Sequence, residues 1–319
     1  MKNKRLYVID IIKAIACIMI FLYHCNTFLP GEWRFLTYTG QDLGNNLFFM
    51  VSGFTLMPSV ASATLKDFPK WYYRRLIRVV PITAVSYIAC YITGYFTFKD
   101  PAQLFAVFVY PTLYWFVTAI LIFYIIIFFI GKLSNRTVNI ILCIALFILY
   151  VCLFGRQTRL YVIGLLSMLM GYMLREALTE GGEDRPRSIL YIPGIVSGLV
   201  IFAIGRHLDN IGAATPGQAF LTGFGVLSAG IFALIFGYGF KGDIKGGSVI
   251  RFIGDMALPL YIVQCYKTGF IGYYIGLNID FPMSFPVNFV VVWGLALILY
   301  LYGKAVSRLL TLQRKDNVV

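Results

Sequence analysis

Apolar stretches recur along the whole chain, most of them about 15 to 25 residues long, the length that a membrane-spanning helix needs. A transmembrane β-barrel would instead show segments of about ten residues in which apolar and polar positions alternate. The run from Ile120 to Ile130 shows no such alternation. The pattern therefore predicts an all-α integral membrane protein, because only helices or closed barrels satisfy the backbone inside a bilayer.

The apolar runs predict a bundle of about ten transmembrane helices. We place them near residues 8–29, 42–60, 80–98, 107–130, 138–154, 161–175, 188–206, 218–240, 252–276 and 287–304. The first run resembles a signal peptide, but no small-residue cleavage site follows it, so we expect it to be retained. No internal repeat, low-complexity tract or long linker divides residues 1–319, which predicts a single domain.

Composition and charge agree with a lipid environment. Hydrophobic residues make up 59% of the chain and charged residues 13%, which is about half the usual charged fraction of a soluble domain. The net charge of +13 comes from basic clusters between the apolar runs, which indicates membrane topology rather than nucleic-acid binding. Few basic residues fall in the predicted outer loops: Arg34, Lys99, Arg156, Arg159 and Arg206. The positive-inside rule then predicts that both termini are cytoplasmic, and we expect the bacterial plasma membrane.

Six cysteines all lie within or at the edge of apolar runs. They form no CxxC pair and no cluster with histidine at metal-ligand spacing. We therefore expect free thiols, with no disulfide and no metal site.

The first predicted span carries the densest set of polar side chains. Asp10, Lys13, Cys17 and His24 fall within about 60° on one helical face, and such groups inside a membrane indicate function. Lys13 and His24 are separated by roughly 16 Å along the axis, which fits two substrates that approach from opposite membrane faces. His24 is the candidate general base, since imidazole titrates near neutral pH. A structural histidine and a plain Asp10–Lys13 ion pair are the alternatives.

The second span begins with Asp42, Asn45 and Asn46, level with His24 on the preceding antiparallel helix. These side chains are candidates to orient the imidazole or to bind a hydroxylated acceptor. The alternative is a helix cap followed by close packing at Ser52 and Gly53.

Three arginines, Arg74, Arg75 and Arg78, precede the third span. Pairs at i, i+3 or i, i+4 present two guanidinium groups on one helical face, which matches phosphate geometry. Attraction to anionic lipid headgroups is the alternative.

Together these motifs resemble the acyltransferase 3 family of multispan membrane acyltransferases. The family opens with an Asp, an Arg and a His, and Asp10, Lys13 and His24 stand at those spacings, with Lys in place of Arg. An aromatic pair that leads into Ser-Gly-Phe matches Phe48 to Phe54. The family's double-arginine element before a proline matches residues 74–81.

Two later elements extend the resemblance. A Leu-Trp-Phe element is approximated by Tyr114, Trp115 and Phe116. Where the family often has Leu-Tyr-Leu-x-His, this chain has Tyr261 and ends the motif with Gln264, which keeps hydrogen bonding but cannot move a proton as His does. Lys267 lies on the same helical surface and is a candidate substrate contact or a residue that reaches the outer membrane surface.

The resemblance implies transfer of an acyl group, typically acetyl from acetyl-CoA or another acyl-CoA, to a hydroxyl of a cell-envelope glycan or lipid-linked sugar. In that interpretation the arginines bind the donor and His24 deprotonates the acceptor. These features are compatible with a homodimer. The main alternative is a transporter or flippase that uses Asp10, Lys13, His24 and Lys267 as a polar path, although the chain lacks the internal symmetry of many transporters. A noncatalytic scaffold would leave the polar stripe unexplained.

Overall fold

A computed structural model describes residues 7–24, 32, 40–92, 115–153, 156–180, 188–210, 215–239, 247–264 and 282–316. Over these residues the regular structure is entirely helical, which confirms the prediction of an all-α protein. The α-helices are α1 (Tyr7–His24), α2 (Asn45–Ala61), α3 (Phe68–Ile92), α4 (Trp115–Leu133), α5 (Arg136–Cys152), α6 (Arg156–Glu180), α7 (Ile192–Asn210), α8 (Pro216–Gly239), α9 (Gly247–Asp255), α10 (Ala257–Gln264) and α11 (Ser284–Asp316).

Several helices are long and apolar enough to cross a membrane, so the protein is a multi-pass membrane protein. Within the described ranges these are the segments Trp115–Leu133, Thr158–Glu180, Ile192–Asp209, Pro216–Gly239 and Ser284–Leu310. A further pair, Asp42–Ala61 and Leu65–Ala89, passes the same criterion with a bend of 118° between its halves. The structure thus supports five or six spans, and the larger number of about ten stays a prediction.

The predicted helix boundaries differ from the structure in two places that matter for the site. Helix α3 begins at Phe68 rather than near residue 80, so the arginine segment belongs to the same helix as the third span. The predicted span 252–276 is broken between α9 and α10, where Met256 lies in a turn. Pro259 in the first turn of α10 has no amide hydrogen to continue the α-helical ladder from α9, and proline is tolerated at such a position. Residues 265–276 lie outside the described ranges.

Helices α2 and α6 approach each other closely through glycine. A Cβ atom added to Gly53 would lie 2.8 Å from the carbonyl carbon of Met168, and one added to Gly171 would lie at the same distance from that of Met50. Neither position accepts a larger residue unless the two backbones separate, as is typical of helix packing in membranes. The close-packing alternative for Gly53 is therefore confirmed, and α2 is held in a fixed position against α6.

A short capped turn joins α2 to α3. The Thr64 backbone amide and hydroxyl both contact the Asp67 carboxylate at 2.8 Å, in a capping box. On the far side of this turn, the Lys132 ammonium donates to the Ala61 carbonyl at 3.1 Å and so connects α4 to the end of α2. These contacts fix the sharp bend that brings the arginines of α3 alongside the last turns of α2.

Candidate functional site

Helix α1 carries the predicted polar stripe. Asp10 and Cys17 are buried, whereas Lys13 and His24 are half-buried. Helix α9 lies against the N-terminal part of the stripe, because a Cβ on Gly254 would lie 3.4 Å from the Asp10 carbonyl oxygen and 3.7 Å from the Lys13 Cβ. The structure therefore covers this part of the stripe with α9, and His24 forms the C-terminal residue of the helix.

A turn of π-helix, Gly40–Gly44, packs on the last turns of α1. A Cβ on Gly44 would lie 2.8 Å from the Ile20 Cγ1 atom and 3.1 Å from the Ala16 carbonyl oxygen. Gly40 lies equally close to the α1 backbone beside Tyr23, the residue before His24. Short π-helical insertions occur frequently at functional sites. This turn brings Asp42 to the end of α1 that carries His24.

Asp42 belongs to an ion-pair network that the sequence did not reveal. Its carboxylate lies 3.1 Å from the Arg206 Nη1 atom, and the same nitrogen lies 2.8 Å from the Asp209 carboxylate. The sequence placed Arg206 in an outer loop, but α7 continues to Asn210 and presents the guanidinium to the π-helical turn. His207 is exposed beside it.

Asn46 is held by hydrogen bonds in both directions. Its Nδ2 atom donates to the Asp42 carbonyl, and its Oδ1 atom accepts from the Ser167 hydroxyl at 3.1 Å. Ser167 is fully buried on α6 and was not predicted, since nothing in the local sequence marks it. Asn45 is buried next to Asn46 at the start of α2.

An aromatic cluster joins the later predicted motifs to α2. The Phe116 ring lies 4.5 Å from that of Phe49 and 5.0 Å from that of Tyr261, measured between centroids. Trp115 lies 6.1 Å from Phe49 and 5.7 Å from Tyr161 of α6. The structure thus brings together three motifs from α2, α4 and α10, and Trp115 and Tyr261 line the same apolar region.

Gln264 ends α10 and is buried, with 1% of its surface exposed. Neither its Oε1 nor its Nε2 atom has a hydrogen-bond partner in the part of the chain that the structure describes. Lys267, the remaining predicted substrate contact, lies outside the described residues.

The three arginines of α3 lie beside the C-terminal end of α2, whereas Asn46 lies at its N-terminal end. Arg75 donates from Nη1 to the Trp71 carbonyl and from Nη2 to the Ser59 hydroxyl, both at 2.7 Å, and its guanidinium lies 3.5 Å from the Trp71 ring centroid. Arg74 and Arg78 are exposed and stand at i, i+4 spacing on α3. Of the predicted set, only Arg75 is thus engaged by α2, and the other two form an exposed basic pair.

The sequence pattern of the acyltransferase 3 family, described as an acyltransferase domain, matches residues 6–303. The chain belongs to this family. No curated protein and no solved structure matched the chain in the corresponding comparisons. The resemblance inferred from the motifs is confirmed.

As a member of the acyltransferase 3 family, the protein is a membrane acyltransferase. The match extends from before Asp10 to beyond Gln264, so it contains each predicted site residue. Among the described residues, no group of three or more His, Cys, Asp or Glu side chains lies close enough together to hold a metal ion. The described site therefore offers an imidazole, buried amides, an ion pair and an exposed arginine pair for the chemistry.

Proposed function

We propose that this acyltransferase moves an acyl group, acetyl in the simplest case, from acyl-coenzyme A to a hydroxyl of a cell-envelope glycan or lipid-linked sugar. The supporting observation is the distribution of chemistry along α2. Ser59, which contacts Arg75, and Asn46, beside the end of α1 that carries His24, are 13 residues apart, or about 20 Å along a helix. A donor with phosphates at one end and a thioester at the other suits this separation.

The arginine end, which we define as Arg74, Arg75 and Arg78 with the last turns of α2, binds the nucleotide of the donor. Arg74 and Arg78 contact phosphate directly, since their exposed guanidinium groups at i, i+4 form charge-assisted hydrogen bonds. Arg75 holds the helix face that carries them, because its Nη1 and Nη2 atoms donate to Trp71 and Ser59.

The His24 end, which we define as His24, the turn Gly40–Gly44 and the start of α2, hosts the reaction. The His24 imidazole takes the proton from the acceptor hydroxyl, and the oxygen attacks the thioester carbonyl carbon. The carbon–sulfur bond then breaks, and the thiolate takes the proton back from the imidazolium to leave as coenzyme A thiol. No metal takes part in this scheme.

The remaining predicted residues support these two steps. Lys13, on the N-terminal side of His24 in α1, supplies a cation to the anionic donor along its path, and Asp10, one turn before it, positions the Lys13 side chain. Asp42, Asn45 and Asn46 shape the acceptor site, with Trp115 and Tyr261 as its apolar wall. Gln264 contributes a buried amide, and Lys267 contributes a cation, to substrate binding.

The orientation in the membrane is part of the proposal. We place both termini in the cytoplasm of a bacterial cell, with about ten spans in one domain, so that the arginine end meets cytoplasmic acyl-coenzyme A. In a cysteine-free background, Thr215→Cys should react with an impermeant maleimide from outside the cell, and Thr137→Cys should not. The reverse labelling pattern contradicts this orientation.

Radiolabelled acetyl-coenzyme A tests the function directly. Purified protein in proteoliposomes is incubated with the label and with isolated envelope glycans or lipid-linked sugars, and alkali-labile label on the glycan is counted together with released coenzyme A thiol. We expect both signals, and neither from the His24→Ala variant. A wild-type protein that neither transfers the label nor releases the thiol contradicts the proposal.

A further inference from the structure

Gln264 and Asn46 both carry a buried side-chain amide, but the two amides differ in their hydrogen bonding. Asn46 uses both ends of its amide within the protein, to Asp42 and Ser167. Gln264 has both amide atoms buried, and across the described ranges neither finds a partner. Because water is also excluded, the Gln264 amide loses hydrogen bonds on folding that nothing in the described protein replaces.

An amide buried in this way is unfavourable for folding and calls for an explanation. Gln264 lies one turn after Tyr261, whose ring packs on Phe116 in the aromatic cluster. These neighbours supply an apolar surface. A molecule that brings its own polar atom into this region would satisfy the amide.

The course of α9 and α10 places Gln264 near the level of His24. Gly254 lies beside Asp10 and Lys13, and further along, Leu260 and Val263 share one hydrophobic cluster with Cys17 and Phe21 of α1. The α9–α10 segment therefore runs in the same direction as α1.

Gln264 directly follows Val263 in α10, and His24 stands one turn after Phe21 in α1. The two side chains therefore lie within about one helical turn, or 5 Å, of each other in height.

We propose that Gln264 is the oxyanion-stabilising residue of the transfer reaction, a role that rests on the proposed function. When the acceptor oxygen attacks, the electron pair of the thioester C=O moves onto its oxygen, and the Gln264 Nε2–H group donates a hydrogen bond to this oxyanion. The electron pair returns as the carbon–sulfur bond breaks. A fixed donor in apolar surroundings is effective here, since the low local dielectric strengthens its interaction with developing charge.

The test replaces Gln264 by Met and, separately, by Leu. Both are apolar side chains of similar size that lack the hydrogen-bond donor. We expect kcat for acetyl transfer to fall about 10²- to 10³-fold, as for other oxyanion donors, while the KM for the acceptor changes little. The melting temperature should stay the same or rise, because an unpaired buried amide is removed. Asn46→Leu is the matched control for stability and should lower the melting temperature, since it leaves Ser167 without its acceptor.

Two results would overturn this role while wild-type transfer stands. One is a Met or Leu variant that keeps its wild-type kcat, which would mean that the amide does not contact the reacting thioester. The other is a fall in melting temperature in both variants as large as that of Asn46→Leu, which would mean that the amide is paired within the protein. Absence of acetyl transfer in the wild type would instead contradict the proposed function itself.

Discussion

Polar side chains are mostly exposed at the arginine end and mostly buried at the His24 end. At the arginine end, Arg74 and Arg78 are exposed, and Arg75 alone is engaged by α2. At the His24 end, amides are buried, and Asp42 is tied to α7 through Arg206. An exposed basic pair suits the reversible capture of an anionic donor from water. Buried and mutually fixed groups suit bond-making steps, which require defined geometry.

The largest effect is expected from His24 itself. His24→Ala removes the proposed general base, and such a loss typically lowers the rate by a factor of about 10² to 10⁴. Wild-type turnover should also fall as the pH drops below neutrality, because a protonated imidazole cannot accept a proton. His207→Ala, on the exposed surface of α7, is the control and should keep wild-type turnover. If His24→Ala retains more than about a tenth of wild-type turnover, outside that range, His24 is structural.

A smaller effect is expected from the ion pair that fixes the π-helical turn. Asp42→Asn weakens the bond between the turn Gly40–Gly44 and α7, and we expect turnover to fall about tenfold, equivalent to about 1.4 kcal/mol of barrier. Asp209→Asn removes the other carboxylate from Arg206 but affects only a pair within α7, so turnover should change little. Equal losses of turnover in the two variants would show that the Asp42–Arg206 pair does not act by positioning the turn.

The smallest effect concerns Arg75, which we expect to act on stability rather than on chemistry. Arg75→Lys loses the forked contacts to Trp71 and Ser59 and part of the stacking on the indole ring. Unfolding free energy should fall by about 1–2 kcal/mol, measured as a lower melting temperature in detergent. Donor affinity should fall by less than in variants of Arg74 and Arg78. A loss of donor affinity without any loss of stability would show that Arg75 contacts the donor directly.

Local patterns in the sequence predicted part of the fold and part of the candidate site. Local spacing identified the stripe on α1 and the arginines on α3, because residues three or four apart share a helical face. The apolar runs predicted the membrane class because their length is set by the bilayer.

Contacts between distant segments were beyond such reasoning. Arg206 was assigned to a loop, and its pairing with Asp42 depends on how α7 lies against the turn Gly40–Gly44. Ser167 carries no local signal, since its partner Asn46 is on another helix. The break at Met256 was also missed, although Pro259 in the sequence is consistent with it.

Equilibrium binding of acetyl-coenzyme A to variants of the two ends, measured side by side, tests the division of roles most directly. His24→Ala should bind the donor with wild-type affinity, whereas Arg74→Gln with Arg78→Gln should bind it at least about tenfold more weakly, because charge-assisted hydrogen bonds are lost. Lys304→Gln with Arg308→Gln removes the same charge at the same i, i+4 spacing from exposed positions of α11 and should leave affinity unchanged. Equal affinity in the two double variants, or loss of donor binding in His24→Ala, would contradict the account.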